Sequence, residues 1–173
     1  MNLRVLIILS LLVGIGAVLH AVAPPILFGM RPDMLLSMMF LGIILFPKAQ
    51  YVVLLSIVTG IVSALTTTFP GGELANIIDK PITALLFLGL FLATRNLVNN
   101  NILAPVLTAV GTIISGAIFL SVGLFIVGVD VGAGFTALLA TVVLPATAVN
   151  AIVMIVIYPI VQAIMKRSRI ATV

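Results

Sequence analysis

The 173-residue chain has no cysteine and no tryptophan, one histidine and only four acidic residues. Without cysteine it has no disulfides, no thiolate metal sites and no cysteine nucleophile. One histidine and four carboxylates cannot build the usual zinc constellations, so no metal site is expected. No Gly-x-x-x-x-Gly-Lys-Ser/Thr segment occurs, so no loop is available to cradle nucleotide phosphates. The single histidine, His20, lies in an apolar run with no assignable Ser or Asp partner. Neither an enzyme nor a cofactor is expected. The pI near 10 does not point to nucleic acid, because the eight basic residues are scattered between apolar runs and form no binding stripe.

What the chain has in abundance is apolar surface: 63% hydrophobic and 7% charged residues, with mean hydropathy +1.45. A soluble domain carries about 25% charged residues. The reading is an all-α integral membrane protein, one transmembrane domain over 1–173, with the lipid bilayer as its solvent.

Six membrane helices are expected, at about 3–23, 34–46, 51–68, 82–93, 102–127 and 135–165. The first resembles a signal peptide, with Arg4 at its start and Ala21-Val22-Ala23 near its end. Pro24 and Pro25 directly after that site oppose cleavage, so the run is read as a membrane helix. The second span is short and is expected to need flanking residues or a thinned bilayer. Pro81 and Pro105 sit in expected first turns, and Pro145 and Pro159 are expected to kink the sixth span.

With six spans the turns alternate sides. Arg4, Lys48, Arg95, Lys166, Arg167 and Arg169 fall on one side, giving +6. Arg31, Lys80, Asp33, Glu73, Asp79 and Asp130 fall on the other, giving −2, and together these make the chain's +4. The positive-inside rule then places both termini in the cytoplasm and every acid outside.

Pro70 to Lys80 concentrates the polar chemistry, with Glu73, Asn76, Asp79 and Lys80 between long apolar segments and Gly71 and Gly72 at its start. Charged groups in a membrane-embedded chain are costly unless they meet water, each other or a ligand. The stretch reads either as the floor or rim of a small-molecule site, with glycines letting the backbone approach a ligand, or as a solvated loop. It joins Pro24 to Asp33 and Gly128 to Gly134 as outer turns on one face.

Other residues have two readings each. Ser10, Gly14, Ala17 and Ala21 share a face of the first helix, suited to close approach of a partner helix or of the protein's own helices; Ala133 and Ala137 repeat the spacing elsewhere. His20 is a hydrogen-bonded packing residue or a ligand group. Asn150, mid-span, seeks either another helix or a substrate. Met30, Met34, Met38 and Met39 with Phe28, Phe40, Phe69 and Phe135 line an apolar pocket or are plain core.

The size, the six helices and the Pro70-Gly71-Gly72 … Asn76 … Asp79-Lys80 run resemble the bacterial tryptophan transporters of the TrpP family, over essentially the whole chain. That family is similar in size and layout to the substrate-binding S-components of energy-coupling-factor (ECF) transporters. Those carry an Ala-x-x-x-Ala motif on the first helix, which docks on a transmembrane coupling subunit; Ala17 and Ala21 match it, with Gly14 on the same face. The resemblance implies a bacterial cell-membrane protein that takes up tryptophan, as the binding subunit of a complex with a coupling subunit and ATPases or as a stand-alone permease, proton-coupled through Glu73, Asp79 or His20. A structural subunit with no ligand is the contrasting class. For tryptophan, Asp79 or Glu73 would meet the ammonium, and Lys80 or Arg31 the carboxylate. Asn76 or Thr67 would accept the indole N–H, with Phe69 among the flat apolar walls. Asp79 and Lys80 could instead pair with each other.

Overall fold

The structure is a computed structural model that describes residues 1–24 and 31–167. Among these residues it is helical, with no strand. The helices are α1 (Leu3–Val22), α2 (Met34–Leu45), α3 (Ala49–Thr66), α4 (Gly72–Thr94), α5 (Asn100–Ile126) and α6 (Phe135–Arg167). All but α2 are long and apolar enough to cross a bilayer. Many exposed residues on them are large aliphatics, such as Ile7, Leu11, Ile57, Leu85 and Ile155, as expected where the outer solvent is lipid. This is a multi-pass membrane protein.

α2 explains the architecture. Its twelve residues, Met-Leu-Leu-Ser-Met-Met-Phe-Leu-Gly-Ile-Ile-Leu, are apolar all round and all buried. A helix without a polar face belongs inside a bundle, and α2 packs against each of the other five helices. At 1.5 Å per residue it is about 18 Å long, too short for a hydrocarbon core of about 30 Å. The expectation of a short span needing flanking residues or a thinned bilayer is therefore replaced: the twelve residues are buried against other helices. Phe40 of α2 stacks on Phe87 of α4, with ring centroids 4.1 Å apart. Met38 and Met39 are core residues of the same cluster; Phe28 and Met30 lie outside the described residues.

A second correction concerns the central stretch. Residues 72–80 form the first turns of α4, with Gly71 (φ +67°) as its N-cap, so they are not an outer turn. Pro81 lies inside the helix. Gly71 takes the left-handed conformation that glycine permits. A Cβ there would lie 2.7 Å from Val127 Cγ1, so this glycine lets the α3–α4 turn close against the α5–α6 connection. Near the same end, α5 and α6 carry π-helical turns at Val122–Ile126 and Leu139–Val143, the latter just before Pro145.

Candidate functional site

A cavity of about 110 Å³, measured by where the centre of a water-sized sphere can go, lies among the α1 C-terminus, the α2 and α4 N-termini, the α3 C-terminus, and the halves of α5 and α6 at that end. One water needs about 10–15 Å³ by that measure, so the space holds more than a single water. The shortness of α2 contributes to it: Leu36, in its first turn, and Asp33, its N-cap, form part of the wall. Irregular π-turns at functional sites are common, and Val142 and Val143 of the α6 π-turn line the cavity. Gly116 brings α5 against α6 there; a Cβ on it would lie 2.5 Å from Val143 Cγ1.

The charged groups form one connected set. Lys80 Nζ lies 2.6 Å from Asp33 Oδ2 and 2.9 Å from Asp79 Oδ2. Asp79 is fully buried and also accepts from Thr83 Oγ1 and Ser115 Oγ, both at 2.6 Å. A buried carboxylate is tolerated when its lone pairs are met in this way. Asp33 also accepts from Leu36 N at 3.1 Å, capping α2, and its side chain remains 21% exposed. Burial on its own would raise the Asp33 carboxyl. The Lys80 ammonium, the nearby His20 and the Leu36 N–H outweigh it and hold the carboxyl below the ordinary carboxylate range. His20 Nδ1 donates to Pro32 O at 3.2 Å, and Arg31 Nη1 donates to Ala21 O at 3.1 Å.

Of the residues singled out from sequence, Lys80, Asn76, Arg31, Asn150 and Phe69 line the cavity, as do Thr67 and His20. Asp79 lies behind Lys80, off the cavity wall. Glu73 is exposed in the first turn of α4, where a carboxylate favours the helix N-terminus. Gly71 and Gly72 pack the turn: a Cβ on Gly72 would meet Thr67 Oγ1 at 2.5 Å. Asn76 Nδ2 donates back to Gly72 O at 2.9 Å. Asp79 and Lys80 do pair with each other, while Lys80 also reaches Asp33. The wall residues not singled out as site candidates include Asp33, Ser63, Thr112, Ser115, Phe119 and Val143. On α1, Gly14 and Ala21 are exposed, while Ala17 is partly packed against the core.

The arrangement combines two cationic side chains, one partly open carboxylate and apolar walls. It suits a small zwitterion with an apolar side chain.

Residues 2–166 match the family model described as "Tryptophan transporter TrpP". A "Probable tryptophan transport protein" of Bacillus subtilis (strain 168) is 55% identical over 168 residues, covering 97% of this chain and 96% of the relative. Proteins of the same description from Clostridium acetobutylicum and Clostridium perfringens are 45% and 36% identical, each over 96% of both chains. No solved structure matches significantly. With the family model and full-length relatives in agreement, this chain belongs to the TrpP family of tryptophan transporters.

Proposed function

We propose that the cavity binds L-tryptophan and that the protein takes it up from the face where the cavity lies. The observation that carries this reading is the pairing of Arg31, Lys80 and Asp33 at one cavity with the apolar walls of Leu36, Phe69, Phe119, Leu120 and Val143. The substrate carboxylate goes to Arg31 and Lys80, and its ammonium to Asp33. Asp33 is favoured over Asp79 because it is on the wall and partly open, whereas Asp79 already has three donors. Asp79 then acts as a positioning residue for Lys80. The names of the relatives support tryptophan as the solute. The basic residues Arg4, Lys48, Arg95, Lys166 and Arg167 gather at the opposite end, which supports a cytoplasmic placement of that end and an outward-facing cavity.

The exposed small residues Gly14 and Ala21, with nothing among the described residues within 4 Å of a Cβ built on Gly14, support docking of α1 on an ECF-type coupling subunit driven by ATPases. A permease working alone would use the same cavity; its uptake would collapse with an uncoupler and survive loss of ATP. Equilibrium binding to the purified protein tests the central reading. Saturable binding is expected with tryptophan preferred over tyrosine, phenylalanine and indole, and no saturable binding of any of them would reject it.

A further inference from the structure

Taking the cavity as the tryptophan site, we infer that Asn150 recognises the indole N–H, its carboxamide oxygen accepting that hydrogen bond. Asn150 thereby selects an aromatic amino acid whose ring carries a donor. Asn150 is fully buried on α6 and lines the cavity. Its Nδ2 donates to Thr112 Oγ1 on α5 at 3.2 Å. The single hydroxyl hydrogen of Thr112 goes to Thr108 O at 2.8 Å, so its oxygen faces Asn150 as an acceptor. That relation orients the amide, with nitrogen toward Thr112 and oxygen away from it. Among the described residues, this oxygen accepts no hydrogen bond.

The competing polar groups on the wall are less suited. Asn76 Nδ2 is given to Gly72 O, which leaves the Asn76 carboxamide oxygen as the rival acceptor, but on α4 one turn from Lys80, where the charged ends of the ligand are held; the Ser115 hydroxyl is given to Asp79. Lys80 and Asp33 hold each other. Among the described residues Ser63 Oγ is also unpartnered on the wall, but a hydroxyl carries a rotatable donor as well as acceptors and discriminates weakly between N–H and other ring atoms. A carboxamide oxygen fixed by its own nitrogen can only accept. Buried without a donor it is costly, and a ring N–H removes that cost, while a ring without one leaves it in place. With the charged ends of the zwitterion held by Arg31, Lys80 and Asp33, the ring is the part left to meet Asn150.

The test compares L-tryptophan with its benzothienyl and benzofuranyl alanine analogues, which keep the zwitterion and ring shape and lack the N–H. Wild-type protein is expected to bind tryptophan about ten- to a hundredfold more tightly than the benzothienyl analogue. Asn150→Leu should bring the two within a few-fold, with the loss falling on tryptophan. Thr112→Val frees the amide and should narrow the ratio, and Thr112→Ser should restore it. Equal wild-type affinities would overturn the assignment, as would an equal loss for both ligands in Asn150→Leu, which marks a packing role. Tighter binding of the benzofuranyl analogue than of tryptophan would show the amide turned the other way, and would also overturn it. The wild-type ratio needs no variant, so poor folding of a variant does not remove the test. Absence of saturable binding for every ligand would reject the tryptophan site itself, a result distinct from equal affinities.

Discussion

Lys80 of α4 reaches Asp33, the N-cap of α2, at 2.6 Å, and so ties the charge of the central stretch to the end of the one helix that every other helix surrounds. The same ammonium lies 2.9 Å from Asp79. Two carboxylates and two cations, Lys80 and the wall residue Arg31, sum to zero beside the cavity. A zwitterion, with one ammonium and one carboxylate, enters this set without leaving a charge unpaired, which a singly charged solute cannot do.

The two carboxylates therefore predict different phenotypes. Asp33→Asn should weaken tryptophan binding by about 2–5 kcal/mol, as when one partner of a desolvated charge pair is lost, and should spare indole-3-propionate, which has no ammonium. Asp79→Asn should instead lower thermal stability, by about 3–5 kcal/mol for a broken buried pair, and weaken both ligands alike. Paired titrations and thermal melts of the two variants check this. If Asp79→Asn discriminates between the ligands and Asp33→Asn does not, the roles are reversed.

Acid should act through the same group. The Asp33 carboxyl is held below the ordinary range, so on acidification the unfolded chain takes up this proton before the folded one does. The contribution of Asp33 to stability is complete above the ordinary aspartate value of about 3.9 and is lost as pH falls through the lower folded-state value. Thermal melts between neutral pH and about pH 3 should show a decline confined to the acid end. The decline should be smaller in Asp33→Asn.

Orientation follows from the separation of charge. Leu97 is exposed at the basic end, in the α4–α5 connection, and Glu73 is exposed at the cavity end. A cysteine replacing Glu73 should react with a membrane-impermeant thiol reagent in intact cells, and one replacing Leu97 only after lysis. Because the chain has no cysteine of its own, the labelling has no background. The opposite pattern would invert the transporter.

How much of this was legible in the sequence depends on which physical signal each residue carries. Five spans and the clustering of acids stand out because long apolar runs and charge placement are local properties. The role of α2 was in its composition as well: an all-apolar helix too short to span signals burial by protein. The beginning of α4 was hidden by Gly71-Gly72 and Pro81, which read as a loop followed by a helix start. Yet Asn76, Asp79/Lys80 and Thr83 recur at helical spacing, and that stripe could have disclosed a buried polar face. Asp33 read as a loop charge because its partner lies 47 positions away in sequence. Likewise, Ser115 met Asp79 and Thr112 met Asn150 only through the packing of α5 on α4 and α6.

The α1 stripe makes a prediction about partners. Gly14→Trp and Ala21→Trp place bulk on exposed positions, whereas Ala17 is partly packed against the core. The first two substitutions should abolish uptake in cells while leaving tryptophan binding to purified protein within about threefold, well under one decade of affinity. Ala17→Trp is expected to reduce thermal stability as well. If uptake survives Gly14→Trp with Ala21→Trp, α1 faces lipid alone and no coupling subunit docks there.

The cavity wall itself can be tested at Gly116. A Cβ built there lies 2.5 and 2.6 Å from the two γ-carbons of Val143, closer than packed side chains tolerate. Gly116→Ala should force α5 and α6 apart beside the cavity, at an overpacking cost of about 1–3 kcal/mol. Val143→Ala removes the opposing methyl groups, so the double variant should recover most of the thermal stability lost in Gly116→Ala. Contacting residues show such coupling, and distant ones do not. Tryptophan affinity should follow the same order, because both residues line the cavity: weakened in Gly116→Ala and partly restored in the double variant. Additive losses in the two single variants would mean that the helices do not meet through this pair, and the wall would then have to be built differently from the one described.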